Sequence, residues 1–241
     1  MKRILYVVSL LFLMLFSMIN RLMAQKQVSV DPFDEIAVAG NIHVYLEPGD
    51  KEKLVLYIEG IPESEVHVKL IQGALRISVL NSFVYKNEII KAYVTYKQLR
   101  TIRSNAGASI ECKAVLSGDK LDVHVGSGAN LNLDVKANAL DASAGEGGQL
   151  NLGGTVESLN VGVSTGGQCH CTNLEAKRAY VKAGTGGRAE VNAIDLLETS
   201  ANLGGEIYYS VDPKEKRIKS FLGGNVQKMG ASSSPSGKKQ N

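Results

Sequence analysis

Between residues 105 and 228 a glycine returns on a nearly fixed beat, at Gly107, Gly128, Gly147, Gly166, Gly186, Gly204 and Gly223, spaced 21, 19, 19, 20, 18 and 19 residues apart. This period constrains the fold more than any single motif. A unit of about 20 residues cannot enclose a core alone, so successive units have to stack and bury their apolar rows against one another.

Aligning the chain on that glycine sorts its neighbours into columns. Three residues after it stand Ile110, Leu131, Leu150, Cys169, Ala189, Ile207 and Val226, and five after it Cys112, Leu133, Leu152, Cys171, Val191, Tyr209 and Lys228. Between them lie Glu111, Asn132, Asn151, His170, Glu190, Tyr208 and Gln227. Apolar, polar, apolar is the period of a strand with one buried face. The same alternation precedes the glycine, as in Leu121-Val123-Val125 and Leu159-Val161-Val163, with Asp122, Asp141, Asn160, Tyr180 and Glu198 interleaved one per repeat. Each repeat therefore reads as strand, glycine corner, strand and a loop of variable length. Stacking such units in parallel at about 4.8 Å per rung predicts an all-β single-stranded parallel β-helix. A sandwich would not need so regular a period, and propeller blades are about twice as long.

Residues 28–104 also alternate, as in Ile36-Val38, Val44-Leu46, Leu75-Ile77 and Ala92-Val94, but without the period. They are expected to form irregular coils that cap one end of the solenoid. The chain starts with Lys2 and Arg3, an apolar run from Ile4 to Ile19 and a polar turn, which is the layout of a signal peptide over residues 1–24 cleaved before Gln25. An uncleaved anchor is the rival, and no Cys marks a lipoprotein cleavage point. The 27 Lys and Arg, less Lys2, Arg3 and Arg21, leave 24, equal to the 24 Asp and Glu. A neutral mature chain makes nucleic acid an improbable partner. Residues 230–241 are small and polar and read as a flexible tail, leaving one domain over 25–229 that does not span a membrane.

The opening segment from Phe33 to Gly49, with Ile36, Val38, Ile42, Val44 and Leu46 alternating, followed by repeated Ser/Thr-Gly-small corners, resembles the secreted bacterial domain known as the auto-transporter adhesin head, or GIN, domain. The likeness runs from Phe33 to Gly224. It implies a right-handed parallel β-helix, export to the periplasm, outer-membrane surface or extracellular space, and an adhesin role with no catalytic residues to transfer. Ala106, Glu146, Leu203 and Leu222 replace the small hydroxyl usual before the corner glycine, so any hydroxyl ladder there is incomplete.

Cys169-His170-Cys171 looks like a ligand set for a thiophilic metal. The columns separate it, placing both cysteines inward and the histidine outward, and Cys112 lies three rungs from Cys171, beyond disulfide reach. Buried free thiols are the reading, with no metal and no cofactor, against the alternatives of a metal site or a Cys169–Cys171 bridge that would need a strained kink. Asp122 and Asp141 fall on successive rungs, near the spacing of a retaining glycosidase pair, which makes a polysaccharide lyase or hydrolase the runner-up to a non-enzymatic module. His43, His67, His124 and His170 are scattered, and the Gly-rich corners lack the Lys and helix of a phosphate loop. Outward Tyr180 and Tyr208 are weak candidates for stacking on sugar rings. The sequence thus points to an envelope binding or structural protein whose partner is a glycan or a protein, with an open solenoid end that allows a homodimer.

Overall fold

The computed structural model describes residues 25–79, 84 and 88–230, so the leader read for residues 1–24 and the tail from residue 231 lie outside the described residues. The first strands are β1 (Gln25–Ser29), β2 (Glu35–Ala39), β3 (His43–Pro48) and β4 (Lys53–Glu59). A single helical turn, Glu63–Glu65, precedes β5 (Val66–Ile71), β6 (Ala74–Val79), β7 (Ile89–Tyr96) and β8 (Thr101–Asn105). The repeat then supplies β9 (Ser109–Val125), β10 (Asn130–Ala144), β11 (Gln149–Val163), β12 (Gln168–Ala183) and β13 (Arg188–Ala201). The last coil and a half is β14 (Glu206–Tyr209), β15 (Glu215–Ser220) and β16 (Asn225–Lys228).

From β9 onward neighbouring coils pair in parallel, in the register the columns require: Ile110, Leu131, Leu150, Cys169, Ala189, Ile207 and Val226 are successive partners. The result is a parallel β-solenoid whose interior is filled by these columns. The expected loop of variable length is instead a bend inside one long strand. Extra residues are absorbed as bulges, between Cys112 and Leu116 and again between Cys171 and Glu175. Keeping the bend in strand conformation lets its backbone groups pair with the coils above and below, which a loose loop would leave to water.

The corners are tight two-residue turns. In each, the residue after the glycine donates back to the residue two before it, as in Gly148 N–H to Gly145 O at 2.8 Å and Gly167 N–H to Ser164 O at 2.8 Å. Both central residues have positive φ, about 50° for the first and 69–80° for the glycine, the geometry of a type I′ turn. Gly107, Gly128, Gly147, Gly166, Gly186, Gly204 and Gly223 are thus structural, each at the second central position.

The N-terminal part does cap the stack, but its order in space is not its order in the chain. β2 and β3 form a coil lying between β8–β9 on one side and β6–β7 on the other, all parallel. Beyond β6–β7 the direction reverses: β5 pairs antiparallel with β6 through the Gln72-Gly73 turn, β4 pairs antiparallel with β7, and β1 closes the end on β4. At the other end the cover thins, and every residue of β15 is exposed.

Candidate binding face

The polar column between the two buried ones becomes one continuous row on the outer face of the solenoid. Strand pairing sets Tyr93 beside Tyr45, Tyr45 beside Glu111, and then Asn132, Asn151, His170, Glu190, Tyr208 and Gln227 in succession. Nine rungs in register make a track of roughly 38 Å at the usual strand spacing. Its middle is a shallow groove of about 470 Å³ lined by Glu111, Lys113, Asn132, Asp134, Asn151 and His170 among others. A Cβ on Gly153 would meet the Asp134 carboxylate, the far end of an exposed side chain on the same floor.

Hydrogen bonding along the row is partial, which matters for recognition. Asn151 Nδ2 donates to Asn132 Oδ1 at 2.6 Å. That bond uses one donor of Asn151 and one acceptor site of Asn132, so the pair keeps further donor and acceptor capacity for a ligand. One end of the groove is more committed. His170 Nδ1–H donates to Glu190 Oε2 at 3.0 Å, while Arg188 binds Glu190 Oε1 through Nε and Nη2 at 3.0 and 2.8 Å. Burial alone would raise the Glu190 pKa, but the hydrogen bonds from His170 and Arg188 outweigh it and hold the carboxyl below its ordinary value. The Arg188 guanidinium also lies 4.2 Å from the Tyr208 ring centroid, covering one face of that ring.

Asp122 and Asp141 stand on the strand segments that precede the corners, away from this row. They are register partners, continued by Asn160, Tyr180, Glu198 and Arg217. Each acid has a cation beside it, Arg103 Nη2 at 3.7 Å from Asp122 and Lys120 Nζ at 3.0 Å from Asp141. For Asp141, partial burial pushes the pKa up, yet the hydrogen bonds from Lys120 and Asn160 and the lysine charge bring it below the usual value. Tyr180 and Tyr208, the two tyrosines expected from sequence, lie on different columns.

Cys169 and Cys171 both point into the core and are fully buried, with their sulfurs 2.6 Å apart, while His170 points outward. The contact with Cys169, together with burial, raises the Cys171 thiol well above its ordinary pKa, the reverse of what thiolate ligation of a metal needs. Cys112 is buried elsewhere, against Tyr96 Oη at 3.6 Å. Among the described residues no three His, Cys, Asp or Glu side chains are grouped to hold a metal ion.

Three residues that the repeat does not reveal form an aromatic group at one end of the row. Tyr45 and Tyr93 stack with centroids 5.1 Å apart and planes at 23°, and Tyr57 meets Tyr93 edge-on at 5.5 Å. Tyr45 and Tyr93 occupy outward positions of their alternating strands, which the sequence does show. Their meeting depends on β3 pairing with β7, a contact 48 residues apart that follows no repeat.

A family model described as "Putative auto-transporter adhesin, head GIN domain" matches residues 32–213. The chain belongs to this family. Solved structures share the GIN-domain fold seen here. An adhesin, called putative, from Bacteroides fragilis superposes with a TM-score of 0.75 at 19% identity, covering 87% of this chain and 98% of its own. One of the same description from Parabacteroides distasonis gives 0.67 at 20% identity, covering 85% and 96%. A third, from the same organism and called a putative lipid binding protein, gives 0.59 at 18% identity, covering 85% and 95%. No curated protein matches the chain. No helix among the described residues of this GIN domain is long and apolar enough to cross a membrane.

Proposed function

We propose that this GIN domain is an exported, non-catalytic binding module of the cell envelope, and that the row from Tyr93 to Gln227 is its binding face. The observation that carries the reading is that row itself: nine outward residues in strand register, with an open polar groove where the amides of Asn132 and Asn151 keep hydrogen-bonding capacity. Rigid ladders of this kind hold several shallow contacts at fixed spacing, which suits an extended partner, glycan or protein, better than a small molecule. Family membership and the adhesin names of the fold relatives support the same class of role and an exported location. The solenoid interior is filled by a continuous cluster of buried side chains, so the outer face is where a partner is met.

The enzymatic alternative has less behind it. A glycosidase pair needs one carboxyl with a raised pKa to act as general acid, whereas Asp141 is held low and both aspartates have cations beside them.

The test is an array of glycans and envelope proteins probed with the mature chain, with bound ligands recovered and weighed by mass spectrometry. Retention of at least one ligand, recovered intact, is expected. A cleaved product that disappears in Asp141→Asn would establish the enzyme instead, and an array with no retained ligand would end the binding reading.

A further inference from the structure

We infer that the ligand of this face is an uncharged glycan chain lying along the solenoid axis, with Tyr93 and Tyr45 as its stacking platform; the inference rests on the binding-face reading above and names its ligand class. The first ground is the position of the rings. Tyr93 is 39% exposed on the outside of the sheet, and Tyr45 and Tyr57 pack against it there rather than in the core. The chain has no tryptophan, so tyrosine is its largest ring with an apolar face and a hydroxyl at the edge. The C–H faces of pyranose rings are apolar and their rims are hydroxyls, which is the complement of such a surface.

The second ground is what adjoins the rings in register. Glu111 follows Tyr45, and Asn132 and Asn151 follow Glu111. Carboxylate and amide groups take vicinal sugar hydroxyls in pairs, the carboxylate as acceptor and the amide as both donor and acceptor. The groove carries Glu111 and Asp134 against Lys113, a lining that gives a polyanionic chain no net attraction and leaves hydroxyls as the groups it can satisfy. Its rungs advance along the axis, so a linear chain crossing them meets rings first, then the carboxylate, then the amides.

The experiment is isothermal titration of the mature chain with hexasaccharides of neutral β-glucan, mannan, xylan and galactan, beside polygalacturonate and hyaluronan oligomers. At least one neutral hexasaccharide should bind, with affinity falling about tenfold or more in Tyr93→Ala and retained in Tyr93→Phe and in Tyr180→Ala. Hydrogen exchange of Tyr93→Ala, compared with the parent, reports whether the coil has stayed folded. If that coil unfolds, Tyr93→Ser and Tyr45→Ser take its place. A neutral glycan bound equally by folded Tyr93 and Tyr45 variants overturns the platform. Binding of only the acidic oligomers, or of only an envelope protein in the array above, overturns the glycan class while leaving the face. Retention of nothing in either assay removes both.

Discussion

Each corner of the solenoid puts a residue other than glycine at positive φ, namely Ala106, Ser127, Glu146, Thr165, Thr185, Leu203 and Leu222. Such a conformation costs an L-residue about 1–2 kcal/mol, and none of the seven is Asn or Asp, the side chains that tolerate it best. The offset is visible between coils: Gly107 N–H donates to Ser127 O and Gly128 N–H to Glu146 O, both at 3.0 Å, and the pattern continues up the stack. The corner is thus a hydrogen-bonded ladder in its own right, and what the first central position requires is backbone geometry rather than a hydroxyl. The residue after the glycine is constrained differently. A Cβ on Gly167 would run into the Ala144 carbonyl of the neighbouring coil, so Gly167→Ala should lower stability by about 1–3 kcal/mol in urea unfolding. The opposite sign is expected at Thr199, which sits in a column otherwise filled by Val, Ala and Ile and whose buried Oγ1 lacks a partner among the described residues. Thr199→Val keeps the shape and removes the unsatisfied hydroxyl, and should raise stability by about 1 kcal/mol in the same measurement.

At the scale of strands, the outward rows hold pairs of opposite charge. Glu190 is a largely enclosed acid at one end of the groove, and its pKa is depressed by His170 and Arg188 acting against burial. A depressed carboxyl contributes stability that is complete above the unfolded value near 4.5 and is lost as pH falls through the folded value. Glu190→Gln should therefore flatten the fall in unfolding free energy below pH 5, as read from urea titrations at stepped pH; an unchanged slope would show that the pair contributes nothing. The regular strands are legible in the sequence, because a residue and its neighbour in space differ by one period, as Leu131 and Leu150 do. The same register puts Asp122 beside Asp141. It does not supply Lys120 or Arg103, whose reach to those acids depends on rotamers. Nor does it supply the tyrosine group. β4 and β5 run against the direction of the other coils, and the pairing of β7 with β3 and β4 skips across the chain, so no periodicity encodes it.

The whole molecule is a stack with unequal ends. The N-terminal end is closed by antiparallel strands, whereas the final coil exposes all of β15 together with Phe221 and Leu222. Lys216, Lys219 and Arg217 along that last strand blunt an edge that would otherwise invite pairing with another chain. Nearest-neighbour stability in a solenoid means that this coil, with a partner on one side, opens most easily. Amide exchange should accordingly run fastest in residues 215–228 and slowest in β10 to β12, where each strand is flanked on both sides. Equal protection from end to end would argue for a cover on the open edge, such as a second copy.

The binding face itself is tested most directly by two asparagines of one coil. Asn151 lies in the groove row and Asn160 in the other outward column, beside Asp141. Asn151→Arg and Asn160→Arg make the same change of size and charge on the two columns. Titrated with whichever glycan or envelope protein the array retains, Asn151→Arg should abolish binding and Asn160→Arg should leave it within about twofold. Equal affinity in both variants, or loss in Asn160→Arg alone, would contradict the assignment of the face.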